Sequence, residues 1–147
     1  MYNISFSEPQ DFEQLYAIEQ AAHHVPWSLG TLKNNQGERY LNLKLHRQNQ
    51  IIGFAICQKV LDEATLFNLA IHPTFQGQGL GHRLLSELIE QLRAQHIATL
   101  WLEVRQSNLN AQKLYTKQGF NEVDIRKNYY PTADGKRENA VVMALYL

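Results

Sequence analysis

The chain has 147 residues and a mass of 17.0 kDa, 44% of them hydrophobic and 19% charged, which is the profile of one globular domain that needs no staples to hold a core. Fourteen Lys and Arg balance fourteen Asp and Glu, giving a formal net charge of +0 and a pI near 7.0, so no global field draws in a nucleic-acid backbone and nucleic acid is not expected as a partner. Cys57 is the only cysteine, which excludes an intrachain disulfide and a thiolate metal cage; no metal is expected. A short strand is predicted near Asn3–Ser7, then a helix over Pro9–Ala22 with Pro9 in its first turn and Phe12, Leu15, Ile18 and Ala22 as its apolar stripe. Ser28 caps a short helix through Asn34.

Three strands follow. Leu41, Leu43 and Leu45 alternate with polar residues; Ile51–Val60 and Ala64–Ile71 flank the turn-prone Asp62-Glu63. Leu66–Ile71 is nearly continuous apolar, the pattern of a strand covered on both faces. A glycine-rich loop then opens a helix over Gly79–Gln95, whose Gly81, Leu84, Leu85, Leu88, Ile89 and Leu92 share one face. Thr99–Val104 is a strand in which Trp101 reads as core. Asn108–Gln118 is a helix ended by Gly119. Phe120–Ile125 and Ala140–Leu147 close the chain as strands, joined by a long loop carrying Tyr129-Tyr130-Pro131 and the turn Ala133-Asp134-Gly135. The order describes a single α/β domain, residues 1–147, with a mixed sheet. No basic segment followed by an apolar stretch stands at the N-terminus, and the longest apolar run, Ile51–Cys57, is too short to span a bilayer. A soluble, cytoplasmic monomer with no membrane partner is expected.

The loop Gln76-Gly77-Gln78-Gly79-Leu80-Gly81 lies between an apolar strand and a strong helix. Glycines let backbone N–H groups turn toward a ligand, and the helix N-terminus adds roughly half a positive charge, which suits a phosphate or pyrophosphate. Gly81 is followed by His82 rather than Lys-Ser/Thr, so the loop is not that of an NTPase. Neither glycine register completes G-x-G-x-x-G, although Glu103 stands at the spacing of a ribose-binding acid. A plain tight turn is the bland alternative.

Gln76-x-x-Gly79-x-Gly81 after an apolar strand resembles the coenzyme A pyrophosphate loop of the GNAT acetyltransferase superfamily, Q/R-x-x-G-x-G/A. Asn35–Leu41, Val60–Asn68, Thr99–Arg105 with Ser107-Asn108, and Asn128–Pro131 are similar to one branch of it, the bacterial enzymes that acetylate the N-terminal alanine of a ribosomal protein. The resemblance implies a central, mostly antiparallel sheet with one splayed parallel pair, flanked by about four helices. It implies acetyl-CoA as co-substrate and a small-subunit ribosomal protein, number eighteen, as acceptor. Coenzyme binding would fall to Leu69, Ala70 and Ile71, which line the pantetheine arm, to Gln76, Gly77, Gln78, Gly79, Leu80, Gly81 and His82 around the pyrophosphate, and to Asn108. The ring of His82 has no chemical part.

Glu103 would be the general base by resemblance; from the residues alone the favoured reading is a surface Glu alternating with Leu102 and Val104. Asn108, Ala111 and Tyr115 share a helix face at i, i+3 and i+7. Asn108 can cap the helix, bond the pantetheine or do both, and Ala111 leaves room for a narrow ligand. Tyr115 is either a core tyrosine or the acid for the departing thiolate, its reference pKa being about 10. Trp27 either plugs the first helix onto the sheet or lines the acceptor groove. Tyr129 and Tyr130 would clamp a peptide N-terminus, and Glu38, Asp62 and Glu63 would attract a basic peptide tail. His23 and His24 point to different faces with no carboxylate motif around them. A lysine side chain, a small amine such as a polyamine, or a silent acyl-CoA sensor are the competing functions.

Overall fold

The computed structural model describes all 147 residues. In chain order the elements are β1 (Asn3–Phe6), α1 (Phe12–Ala22), α2 (Leu29–Asn34), β2 (Leu43–Arg47), β3 (Gln50–Val60), β4 (Glu63–Ile71), α3 (Leu80–Ala94), β5 (Thr99–Arg105), α4 (Leu109–Lys117), β6 (Asn121–Pro131) and β7 (Arg137–Tyr146). All strands join one sheet in the order β1-β2-β3-β4-β5-β7-β6, antiparallel throughout except for β4 and β5. A parallel pair needs a long crossover, and α3 is that crossover. The expected mixed sheet with four helices is therefore the observed architecture. No helix is long and apolar enough to cross a membrane, and no group of three or more His, Cys, Asp or Glu side chains is placed to hold a metal ion.

Helix ends follow local chemistry. Ser28 Oγ accepts the Thr31 N–H at 3.1 Å and Asn108 Oδ1 accepts the Ala111 N–H at 3.1 Å, both as N-caps. The first predicted helix divides into a 3-10 turn, Pro9–Asp11, and α1 proper. The α3 stripe of Leu84, Leu85, Leu88, Ile89 and Leu92 buries against Leu43, Leu45, Ala55, Leu66, Leu100 and Leu102 on one face of the sheet, where Tyr115 and Phe120 also lie. α1 and α2 cover the other face with Phe12, Leu15, Ile18 and Leu32 against Phe54, Ile56 and Ala70. Each such leucine contributes roughly 1.5–3 kcal/mol by leaving water.

Three sequence expectations are corrected. β4 carries a bulge: Ile56 faces Asn68 but Cys57 faces Leu66, leaving Phe67 as the extra residue. The face each residue presents flips there. Ala64 and Leu66 pack on the α3 side, Asn68 is buried, Ala70 packs on the α1 side, and Phe67 is left 41% exposed. The strand is thus not covered on both faces along its length. Trp101 is only half-buried, because β5 turns Leu100, Leu102 and Val104 to the α3 side and Trp101 to the other; its indole N–H donates to Glu63 Oε1 at 2.8 Å. Tyr129, Tyr130 and Pro131 belong to strand rather than loop: β6 runs to Pro131 and β7 begins at Arg137, with irregular pairing between Arg126 and Tyr130 and a positive φ of 52° at Asn128.

Candidate active site

Past Leu66 and Leu102 the parallel pair separates, since β4 and β5 pair only from Glu63 with Thr99 to Leu66 with Leu102. β5 continues along β7, with Glu103 opposite Val142, while β4 continues along β3. A gap opens between Phe67–Ile71 and Glu103–Arg105. The His72 N–H bonds the Ile52 carbonyl at 2.8 Å. Backbone groups alternate sides along a strand, so Ala70 and Asn68 also face β3, and the N–H and C=O groups of Leu69 and Ile71 face the gap. Gln76 Nε2 donates to the Ile71 carbonyl at 2.9 Å, tying the glycine loop to the end of this open edge.

The loop itself is a run of unused donors. From Gly77 through His82 no backbone N–H bonds any protein acceptor; the first helical bond runs from Arg83 to the Gly79 carbonyl, 3.1 Å. Gly77 and Gly79 hold φ of +81° and +76°, the left-handed region that disfavours a side chain. Gly81 has ordinary φ, and a Cβ there would meet Leu114 Cδ2 at 3.6 Å and Ile71 Cγ1 at 3.8 Å, which is normal contact. The flanks are braced by side chains. Tyr2 donates its hydroxyl to Gln78 Oε1 at 3.2 Å, and Gln118 Nε2 reaches the His82 carbonyl at 3.0 Å and Ser86 Oγ at 2.8 Å. Exposed N–H groups at a helix N-terminus are suited to a pyrophosphate.

At the gap, Glu103 reaches from one face of the sheet and Tyr115 from the other. Glu103 Oε2 is ion-paired with Arg126, 2.7 Å from its Nε. Tyr129 donates its hydroxyl to Glu103 Oε1 at 3.3 Å. Tyr129 and Tyr130 meet edge-to-face at 5.0 Å, the Arg126 guanidinium lies 5.2 Å from the Tyr129 ring, and that of Arg105 lies 4.6 Å from the Tyr130 ring. Arg105 is held in turn by Glu138 at 3.2 Å and by the Pro131 carbonyl at 2.7 Å.

Tyr115 is 7% exposed and packs on Phe120 at 5.6 Å between ring centres. Burial first, and the nearby Tyr130 phenol second, raise its pKa well above that of a free phenol. Burial also pushes Tyr130 up, to about 12, helped by the neighbouring Glu103 carboxyl. Tyr130 is thus within electrostatic reach of both Tyr115 and Glu103. Burial alone would raise Glu138, but bonds from the Ser107 hydroxyl, the Ser107 N–H and Arg105 hold it below the usual carboxylate range.

The structure therefore sets Leu69, Ala70 and Ile71 across one gap from Glu103, with Tyr129 bonded to Glu103, Tyr130 near both Glu103 and the core residue Tyr115, and the Gly77–His82 loop adjoining the end of β4. Asn108 uses its Oδ1 for the α4 cap. Trp27 packs beside Tyr16 and Ala22 on the α1 cluster, its N–H donating to Glu19 Oε2 at 2.9 Å. Asp62 and Glu63 sit at the opposite, paired end of β4, with Glu63 bonded to Trp101, so they do not border the gap as a tail-binding charge. Cys57 is buried on the α3 side with its thiol pushed up to about 12, chiefly by burial, which leaves an unreactive core residue.

Two participants escaped the sequence reading. Arg126 stood out only as a basic neighbour of the tyrosines, and strand pairing alone brings it to Glu103. Glu19 was passed over although its spacing from Phe12, Leu15 and Ile18 puts a carboxylate on the buried stripe of α1. It also supplies the carboxylate thought absent near His23, whose Nε2 lies 3.4 Å from Glu19 Oε1.

Comparison with known proteins bears on this arrangement. The Acetyltransferase (GNAT) family model matches residues 2–120. The [Ribosomal protein bS18]-alanine N-acetyltransferase of Haemophilus influenzae is 72% identical over 144 residues, 98% of each chain. The protein of that name from Escherichia coli strain K12 is 56% identical over 145 residues, covering 99% of this chain and 97% of its own. The crystal structure of the ribosomal-protein-S18-alanine N-acetyltransferase from Escherichia coli superposes with a TM-score of 0.95 at 55% identity, over 99% of this chain and 94% of that one.

Proposed function

The chain belongs to the GNAT acetyltransferase family, and we propose that it moves the acetyl group of acetyl-CoA to the N-terminal alanine of ribosomal protein bS18. Full-length identity of 72% to a protein named for that reaction supports the acceptor. The observation that carries the chemistry is the Glu103 carboxylate at the mouth of a splayed parallel pair, with Tyr129 on one oxygen and Arg126 on the other. A carboxylate in that place can take a proton from an incoming amine.

The chain's own groups suffice for the transfer. The N–H run of Gly77–His82 holds the pyrophosphate, and the open edge of β4 pairs with the pantetheine arm as an added strand would. The Leu69 N–H, which faces the gap, is the donor for the thioester oxygen as negative charge grows on it. The acceptor amine enters past Tyr129, Tyr130 and Trp27. Glu103 removes its proton, directly or through water; an α-amino pKa of about 7.7–8.0 makes this a modest task. The C–N bond forms, the C–S bond breaks, and Tyr115 gives its phenolic proton to the sulfur. The proton shed by the new amide nitrogen resets Tyr115. Direct attack needs no acyl carrier, in keeping with the inert Cys57.

The test is intact-mass spectrometry of unacetylated bS18 incubated with the protein and acetyl-CoA, followed by peptide mapping. One acetyl group on the N-terminal alanine is expected. Coenzyme binding without that product would move the reading to another amine or to a silent sensor.

A further inference from the structure

Glu19 is only 1% exposed, on the face of α1 that otherwise carries Phe12, Leu15 and Ile18. A carboxylate removed from water is strongly disfavoured unless its oxygens are filled. Here they are filled from two separate places. Oε1 accepts from Asn68 Nδ2 at 3.0 Å, and Oε2 accepts the Trp27 N–H at 2.9 Å. His23 closes the group, its Nε2 lying 3.2 Å from Asn68 Oδ1. Asn68 immediately follows the bulged Phe67, and its peptide bond carries the Leu69 N–H that faces the gap. Trp27 belongs to the α1–α2 connection.

From this placement we infer that Glu19 is a positioning residue for acyl transfer, one buried carboxylate that sets the β4 bulge and the Trp27 segment relative to each other. An apolar pair at positions 19 and 68 would fill the same space, but apolar contact is non-directional and leaves the strand free to rotate about its axis. A hydrogen bond of fixed direction holds the Asn68 side chain, and with it the Asn68–Leu69 peptide whose N–H is aimed at the thioester, while the second holds the Trp27 segment. This inference rests on the acetyl-transfer reading above.

The experiment measures steady-state kinetics with a bS18 N-terminal peptide, alongside acetyl-CoA affinity by calorimetry and thermal melting. Wild-type protein must first transfer acetyl; its failure would overturn the proposed function rather than this inference. Glu19→Gln sets an amide NH2 against one of the two N–H donors. It is expected to lower kcat at least tenfold while acetyl-CoA affinity stays within twofold, because the Gly77–His82 loop is untouched. Asn68→Asp sets two carboxylates together and should cost more. The double variant Glu19→Gln/Asn68→Asp restores both of these hydrogen bonds: the new amide oxygen accepts from Trp27, and its NH2 donates to the carboxylate now at position 68. Its kcat is expected within threefold of wild type.

A merely structural group would change melting temperature but not the kcat of the folded enzyme, nor be rescued in kcat by the exchange. Wild-type kcat in Glu19→Gln, or no recovery in the double variant, overturns the inference. If Glu19→Gln does not fold, Asn68→Ser carries the test, since it keeps the Glu19–Trp27 bond and severs the reach to the strand. The same tenfold loss supports the inference, and wild-type kcat overturns it.

Discussion

Removing one oxygen from Tyr115 separates catalysis from packing. The ring lies in the α3-side core against Phe120, so Tyr115→Phe leaves its volume and that contact intact and opens no cavity. Stability should change by no more than about 1 kcal/mol, a shift of roughly 2–4 °C in melting temperature for a chain of this size. Acid catalysis is worth about 10²–10⁴ in rate, and each factor of ten is about 1.36 kcal/mol. A thiolate leaves without full protonation, so the low end applies: about a hundredfold loss of kcat, roughly 2.7 kcal/mol of transition-state stabilisation. Acetyl-CoA affinity should hold within twofold. The assay follows free thiol release under saturating substrates, paired with calorimetric titration and a thermal melt. A kcat within twofold of wild type refutes the acid role, and a kcat loss that tracks a collapse in melting temperature refutes the separation argued here.

Glu103→Gln should lower kcat by about 10²–10⁴ and leave acetyl-CoA affinity unchanged, because the side chain points to the gap and not to the glycine loop; quench-flow transfer and calorimetry would check both halves. Gly79→Ala forces a Cβ into a φ of +76°, a strain of about 1–2 kcal/mol, and should weaken acetyl-CoA binding roughly five- to thirtyfold. Gly81→Ala, with normal φ and ordinary contacts, should bind within twofold of wild type; equal losses in the two variants would sink the loop geometry argued above. Burial raises Tyr115 and Tyr130, so both phenols stay neutral above pH 10 and kcat should show no phenol-dependent fall at pH 10. An alkaline limb with half-loss near pH 10, absent in Tyr115→Phe, would contradict this. Because the folded thiol of Cys57 titrates near 12 against 9.0 when free, its contribution to stability is complete below pH 9 and is lost as pH rises toward 12. Melting temperature should decline across that window, and Cys57→Ala should flatten the decline.

Local pattern was enough for much of this protein. The 3.6-residue stripe of Leu84, Leu85, Leu88, Ile89 and Leu92 defines α3 and its buried face, and glycines packed between an apolar strand and that helix define the anion-binding loop. Serine and asparagine before apolar runs mark two caps that the structure contains. These features depend on residues a few positions apart, where spacing and side-chain chemistry decide the outcome. Glu103 and Tyr115 were legible as candidates only through resemblance, because one acid on a strand or one tyrosine on a helix has the same local pattern in core, surface and site.

Pairing between distant segments decided the rest. The bulge at Phe67 arises from the register of β4 against β3 and reverses which side chains are buried, something no run of apolar letters can encode. Extension of β6 to Pro131 depends on β7 lying beside it, and that pairing brings Arg126 and Tyr129 to Glu103, from 23 and 26 positions along the chain. Glu19 lies 49 positions from Asn68, and its burial is tolerable only because both donors reach it. Sequence determined most of the helices and strands, since those are short-range balances, but not the extension of β6; tertiary structure alone decided which polar groups meet, because a buried charge is stable only beside partners that folding delivers.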